Sequence, residues 1–396
     1  MIALRQTIAI FLDAYRELAA GKIFWISLGL SGVVVGVFAL IGVSETGISI
    51  VGFDLDFLPL TYALRSGLIT PDIVYKTIFV NLGIGLWLTW AASILGVVTT
   101  AGIFPTFLSA GVIDSHLARP MGRARLFLTK YTTGLLFMTS QVFVFTFASF
   151  LVIGIRGGAW EPRLFLAVPI VVCFFSYLYA FLAIVGILTR STIAAMIATF
   201  IAWFALFLVN TTESALLAYR VNAELTIERV AERVTAAEEY AGESLAQIRD
   251  NGGEIPPRDE WPDGTTDELE VTFPQLGERR RALADAKKRL AQLTPWHDAS
   301  VLARGVLPKT KETIDLLRTS VLSEEDRQRV IDAGSRDQRN PVASFGDEDA
   351  PSAGEFNTEL EARLTQRGLW WTLGTSLSFE AALLVFGAWR FSRRDF

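Results

Sequence analysis

Glu380 stands inside the apolar run TSLSFEAALLVF, where a carboxyl is chemically conspicuous. An ionised carboxylate facing lipid is costly, so this group must face protein, face a water-filled path, or hold a proton. Two roles are open to it: a place in a transport path, or a structural hydrogen bond to a neighbouring helix. Asn81 and Gln141 also sit in apolar runs, where side-chain amides can bond across helices. Other reactive types are scarce. The one cysteine, Cys173, reads as a small buried hydrophobe, so neither an intrachain disulfide nor a cysteine metal site is available. His297, beside Trp296, reads as a packed or surface residue, and no histidine cluster exists to hold a metal. The sequence carries no G-x-x-x-x-G-K-[ST], H-E-x-x-H or G-x-S-x-G motif. No catalytic residue, metal or cofactor is therefore assigned to this chain, and it does not read as an enzyme.

A second concentration of reactive groups is cationic. RPMGRARLFLTKY, residues 119–131, packs Arg119, Arg123, Arg125 and Lys130 between two apolar runs. Pro120 ends any helix before it, because the residue preceding a proline disfavours helical geometry. Cations beside apolar runs orient membrane insertion.

The elements that must position these groups are membrane spans. Apolar blocks of about 20 residues match the hydrocarbon thickness. Six are expected, at 23–43, 77–104, 126–153, 164–188, 191–210 and 369–391. The fourth and fifth form a tight helical hairpin, and Trp25, Trp160, Trp370, Trp371 and Trp389 fall near span ends. Short loops rich in Lys and Arg all fall on one side, which the positive-inside rule makes cytoplasmic, with both termini there. The expected location is the inner or plasma membrane, crossed several times. Before the first span, Leu4, Ile8, Phe11, Leu12, Tyr15 and Leu18 keep helical spacing, as in an interfacial helix. Gly32 and Gly36 form a G-x-x-x-G in the first span, a spacing that lets helices approach closely. GISIVGFDLDF alternates around Val51 and Gly52 and predicts a small β-hairpin in the first outer loop.

Residues 211–366 carry 31 Asp/Glu against 20 Lys/Arg, and the rest of the chain has the opposite sign. Ile227, Val230, Val234, Ala237, Ala241 and Ile248 keep a three-to-four spacing, as do Leu276, Leu283, Leu290 and Leu293. The pattern predicts an antiparallel helical hairpin of coiled-coil type, followed by the amphipathic stretch LPKTKETIDLLRTSVL. The expected fold is thus all-α. A six-helix transmembrane bundle with an amino-terminal interfacial helix carries a helical extracytoplasmic insertion between spans five and six. Three regions follow: 1–210 with the interfacial helix and spans one to five, 211–366 as the acidic outer domain, and 367–396 with span six and a basic tail.

TAGIFPTFLSAGVIDSHLARPMGRARLFLTKYTTGLLF resembles the cytoplasmic loop and third span of type-2 ATP-binding-cassette (ABC) transporter permeases. The matching positions are Gly111, Ile113, Asp114, Leu117, Pro120, Arg123, Lys130 and Tyr131. GILTRSTIAAM, TSLSFEAALLVFGAWRFSRRDF and FLDAYRELAAGKIFW are similar to other parts of that family, so the likeness touches both ends and spans one to six. The acidic insertion is larger than a minimal permease's outer loop, and its role does not carry over. The resemblance implies an export permease pairing with a second copy or paralogue and with separate ABC ATPase subunits, which would hold ATP and magnesium. In that family the loop between spans two and three docks on the ATPase, which assigns coupling to Gly111, Ile113, Asp114, Leu117, Arg119, Pro120 and Arg123. Lipid, and a partner for 211–366 outside the membrane, complete the expected contacts; nucleic acid is not among them. The competing reading is a non-transporting anchor or mechanotransmission subunit that displays the helical domain.

Overall fold

The computed structural model describes residues 12, 16, 19–44, 47–50, 53–54, 59–108, 122–255, 257–261, 267–335, 340–342, 349–365 and 369–393. The interfacial-helix stretch lies largely outside these residues. So do Gly111, Ile113, Asp114, Leu117, Arg119 and Pro120.

Lipid supplies no hydrogen-bond partner to the backbone, so long apolar runs close their own ladders as helices. Among the described residues, six helical stretches are long and apolar enough to cross a membrane: Lys22–Leu40, Pro71–Phe107, Arg123–Gly157, Pro162–Thr189, Thr192–Asp250 and Trp370–Ser392. They make this a multi-pass membrane protein. The first is α1 (Lys22–Leu40). The chain then forms a three-stranded antiparallel meander, β1 (Ile41–Ser44), β2 (Gly47–Ile50) and β3 (Phe53–Asp54), with Ile41 opposite Ile50 and Ile50 opposite Phe53. The expected hairpin is β2–β3. Strand β1 is additional, and it takes residues 41–43 that hydropathy had placed in the first span. Ile, Gly and Val there suit a strand as well as a helix, and pairing with β2 decides between them.

After α2 (Pro59–Arg65), the second span runs as α3 (Pro71–Ile78), a π-helical stretch Phe79–Ala92, α4 (Ser93–Thr100) and α5 (Ile103–Phe107). The hydroxyls of Thr89 in the π stretch and of Ser93 just after it donate to carbonyls five residues back, Ile84 at 2.8 Å and Leu88 at 2.9 Å, matching the wider register. The third span is α6 (Arg123–Gly157) and the fourth α7 (Ala167–Thr189). Arg190, at φ 55°, turns the chain at the end of α7, its N–H bonded to the Gly186 carbonyl at 3.0 Å. After this left-handed C-cap, α8 (Thr192–Asp250) begins within two residues. The remaining helices are α9 (Glu268–Thr272), α10 (Pro274–Val306), α11 (Thr310–Val321), α12 (Glu324–Ser335), α13 (Ala353–Thr365) and α14 (Leu369–Ser392).

Contacts divide the chain into two units: Met1–Asn210 with Ala303–Gly334 and Thr365–Phe396, and Thr211–Leu302 with Ser335–Leu364. Residues 303–334 therefore group with the spans, whereas the sequence pattern had put them in the acidic region. An amphipathic stripe does not say which apolar surface it will cover. In the first unit Leu317 and Val321 of α11 join the same core as Val171, Phe175 and Tyr179 of α7. In the second unit α8 and α10 run antiparallel, since Arg220 reaches His297 while Arg280 reaches Glu238. Leu217, Val221 and Phe356 form a small core there.

Candidate functional site

Three helices of the first unit meet at Glu380. Its Oε1 lies 2.8 Å from Tyr131 Oη on α6, and its Oε2 lies 2.6 Å from Ser176 Oγ on α7. Glu380 is only 7% exposed. Tyr131 is aimed by stacking on Tyr179, with ring centroids 4.9 Å apart and planes at 15°, and Tyr179 in turn stacks on Phe175. Gly134 makes room for this arrangement: a Cβ there would lie 2.3 Å from the Tyr179 ring.

One turn along α14, Ser376 accepts the Lys309 backbone N–H at 2.8 Å and donates to the Thr372 carbonyl at 2.8 Å. The Tyr177 hydroxyl meets the side chains of Ser376 and Thr313 and lies 3.1 Å from Cys173 Sγ. Lys309 is fully buried. Its ammonium donates to the carbonyls of Gly305 at 3.0 Å and Leu307 at 3.3 Å and sits 4.6 Å above the Trp371 ring. Arg304 and Glu312 form a buried ion pair beside it, linking the last turn of α10 to the first of α11. Asn210 adds a 2.7 Å bond to the Thr310 hydroxyl. Hydroxyls, a carboxyl and an ammonium thus line one seam between α14, α7, α6 and the start of α11, inside an otherwise apolar bundle.

The other intramembrane candidates do not join it. Asn81 is exposed and donates to the Thr77 carbonyl of its own helix at 3.0 Å, with no cross-helix bond among the described residues. Gln141 is buried, yet neither amide atom has a hydrogen-bond partner among the described residues; the hydroxyls of Ser27, Thr146 and Ser149 share that condition. Among the described residues, Gly32 and Gly36 have no heavy atom within 4 Å of an added Cβ, so they serve no close approach to any of these. Helix α1 packs instead through Phe24, Ser27, Ser31, Val35 and Phe38.

At the α14 terminus both flanks of segment 109–121 converge. Phe107 stacks on Phe391 at 6.0 Å, and Phe127 meets the same ring at 6.2 Å. The Arg123 guanidinium donates to the Ser392 carbonyl at 3.1 Å, and the Lys130 ammonium lies 5.4 Å above the Phe107 ring. A cation at the carbonyl end of a helix also suits the helix dipole.

The second unit contains a groove of about 590 Å³ between α8 and α10. Ala237, Ala241 and Leu276 line it, with Tyr240, Phe273, Arg233 and Arg279 among its other walls. Near it, Arg280 bonds Glu238 and Asp267, each at 2.7 Å, and Glu270 at 3.0 Å. Burial pushes the Asp267 carboxyl up, but hydrogen bonds from Arg280 and from the Glu270 N–H outweigh it and hold the group below the usual carboxylate range. Among the described residues no group of three His, Cys, Asp or Glu side chains could hold a metal ion.

Glu380 stands out in the sequence, whereas Ser176, which it meets, and Lys309, which meets Ser376 one turn away, do not. A serine in an apolar run and a lysine ahead of an amphipathic helix are both ordinary by composition. Comparison with family models, with curated proteins and with solved structures returned no match.

Proposed function

We propose that this chain is the membrane-spanning half of an ATP-driven exporter of type-2 ABC architecture, with ATP hydrolysed in separate ATPase subunits. The observation supporting this is the convergence on α14. The residues that flank the segment assigned to ATPase docking both meet the end of this helix, Phe107 on the Phe391 ring and Arg123 on the Ser392 carbonyl. A push on that segment would reach the helix that carries Glu380. Coupling of this kind needs a rigid element with two arrangements, and this reading assigns that role to α14, which is held at its end by Arg123 and at its middle by Tyr131 and Ser176. In this reading both termini and segment 109–121 face the cytoplasm of the plasma membrane. The open Gly32–Gly36 face of α1 is then available to a second copy or a paralogue.

Co-purification of the full chain from its native membrane tests the proposal. An ABC ATPase subunit should accompany the chain, and Arg123→Glu or Asp114→Arg should reduce that association at least several-fold. An ATPase that stays bound and fully coupled in both variants would count against it.

A second reading, a mechanotransmission subunit or anchor, is favoured by the uninterrupted helix α8, which contributes to both units. The groove beside Tyr240 would then receive the external partner. Fusing 211–366 to an unrelated membrane tether separates the two readings. Full rescue by the fusion favours the anchor, and no rescue by a fusion whose helicity shows it to be folded favours the transporter.

A further inference from the structure

Four close contacts meet around Ser176, and the hydrogens available decide how they are made. Ser176 Oγ is 2.7 Å from the Cys173 carbonyl and 2.6 Å from Glu380 Oε2. Tyr131 Oη is 2.8 Å from Glu380 Oε1 and 3.0 Å from the Ser176 carbonyl. Each such bond needs one hydrogen between its two oxygens. The two hydroxyls bring one each, the carbonyls bring none, and an ionised carboxylate only accepts. With Glu380 ionised, half of these contacts would be bare approaches of one oxygen to another.

A protonated Glu380 supplies the missing hydrogen. Ser176 then donates to the Cys173 carbonyl, Glu380 Oε2–H donates to Ser176 Oγ, and Tyr131 donates to Glu380 Oε1. The one contact left over is the longest, and its acceptor carbonyl already serves the ladder of α7. Glu380 makes no ion pair among the described residues.

The titratable neighbours leave this count unchanged. On α6 they are Lys130, turned to the Phe107 ring, and Tyr131. On α7 they are Cys173, Tyr177 and Tyr179, and Cys173 and Tyr177 contact each other. Around α11 they are Lys309, directed at backbone carbonyls, Glu312, paired with Arg304, and Lys311, Asp315 and Arg318. Arg390 lies on α14 itself, more than two turns from Glu380. Only Tyr131 among them hydrogen-bonds the carboxyl.

We propose that Glu380 is an intramembrane proton-holding site, a carboxylic acid whose hydrogen fastens α14 to α7 while Tyr131 fastens it to α6. When the proton passes to water, the clasp is one hydrogen short and holds a charge in a buried seam. Helix α14 must then separate from α7 or admit water. Proton occupancy and the position of α14 are thereby linked, whether or not an ATPase partners the chain.

Infrared spectroscopy of the full chain in lipid nanodiscs at neutral pH tests the proposal. The expected result is a protonated-carboxyl C=O band that moves down in D2O and disappears in Glu380→Gln. The band should move up in Tyr131→Phe, which removes the bond to the carbonyl oxygen. Loss of carboxylate bands in Glu380→Gln, with the protonated-carboxyl region unchanged, would overturn it. Should Glu380→Gln fail to fold, Glu380→Asp serves instead. A shifted protonated-carboxyl band supports the proposal, and an unaltered one overturns it.

Discussion

Tyr131 and Gly134 show how much of the intramembrane seam rests on single side chains. Tyr131 fills the space beside Tyr179 and brings its hydroxyl to Glu380. Tyr131→Phe keeps the ring and deletes the bond, leaving a buried carboxyl oxygen unserved. The expected loss is about 1–3 kcal/mol of stability, read as a lower unfolding temperature in detergent, with a smaller loss in Glu380→Gln,Tyr131→Phe than the sum of the two single changes. Gly134→Ala drives a methyl group into the Tyr179 ring. Overpacking of that kind costs about 1–3 kcal/mol, so the same assay should show a comparable loss, partly recovered by Tyr179→Leu. Of these residues only Glu380 was legible as a site in the sequence, because charge in an apolar run is visible in one dimension. The stacking partner of a tyrosine is not.

At the scale of elements, the informative case is α11. Its apolar face, with Leu317 and Val321, covers α7 and its neighbours, and the Arg304–Glu312 pair fastens its first turn to α10. Breaking a buried ion pair strands the surviving charge, at a cost of about 3–5 kcal/mol. Glu312→Gln should therefore destabilise the first unit, seen as faster hydrogen exchange across 310–321 in the full chain. An unchanged exchange rate there would show that the pair does not hold α11. In the second unit Asp267 caps α9 by accepting the Glu270 N–H at 3.0 Å. Asp267→Ala should weaken that cap by about 0.5–2 kcal/mol. The pH dependence has a definite sign. A carboxyl held below its ordinary value contributes stability that is complete above the unfolded range, near pH 4, and is lost as pH falls through the lowered folded value. Exchange at 268–272 relative to the Asp267→Ala variant should therefore converge only at acid pH, below the ordinary carboxylate range. The hairpin of α8 and α10 was legible from its heptad-like spacing. The placement of α11 was not, because an amphipathic stripe specifies a buried face without naming its partner.

For the whole molecule, the division of charge makes a topological prediction. The acidic second unit and the basic loops should lie on opposite sides of the bilayer. In a Cys173→Ala background, Tyr240→Cys on the exposed face of α8 should react with an impermeant maleimide added outside intact cells. Ser392→Cys at the end of α14 should react only after the membrane is opened. Labelling of both from outside would require an odd number of spans.

The sequence alone determined the apolar stretches long enough to span a membrane, the zoning of charge and the odd carboxyl at Glu380. Each depends on local length, hydropathy or composition, which are properties of consecutive residues. Only the tertiary structure decided that Glu380 meets Tyr131 and Ser176, 249 and 204 residues away along the chain. It also decided that residues 303–334 side with the spans and that both flanks of segment 109–121 end on Phe391 and Ser392. Those pairings follow from the packing of shapes across distant segments, and a pattern of polar and apolar residues marks which faces are buried but not which faces meet.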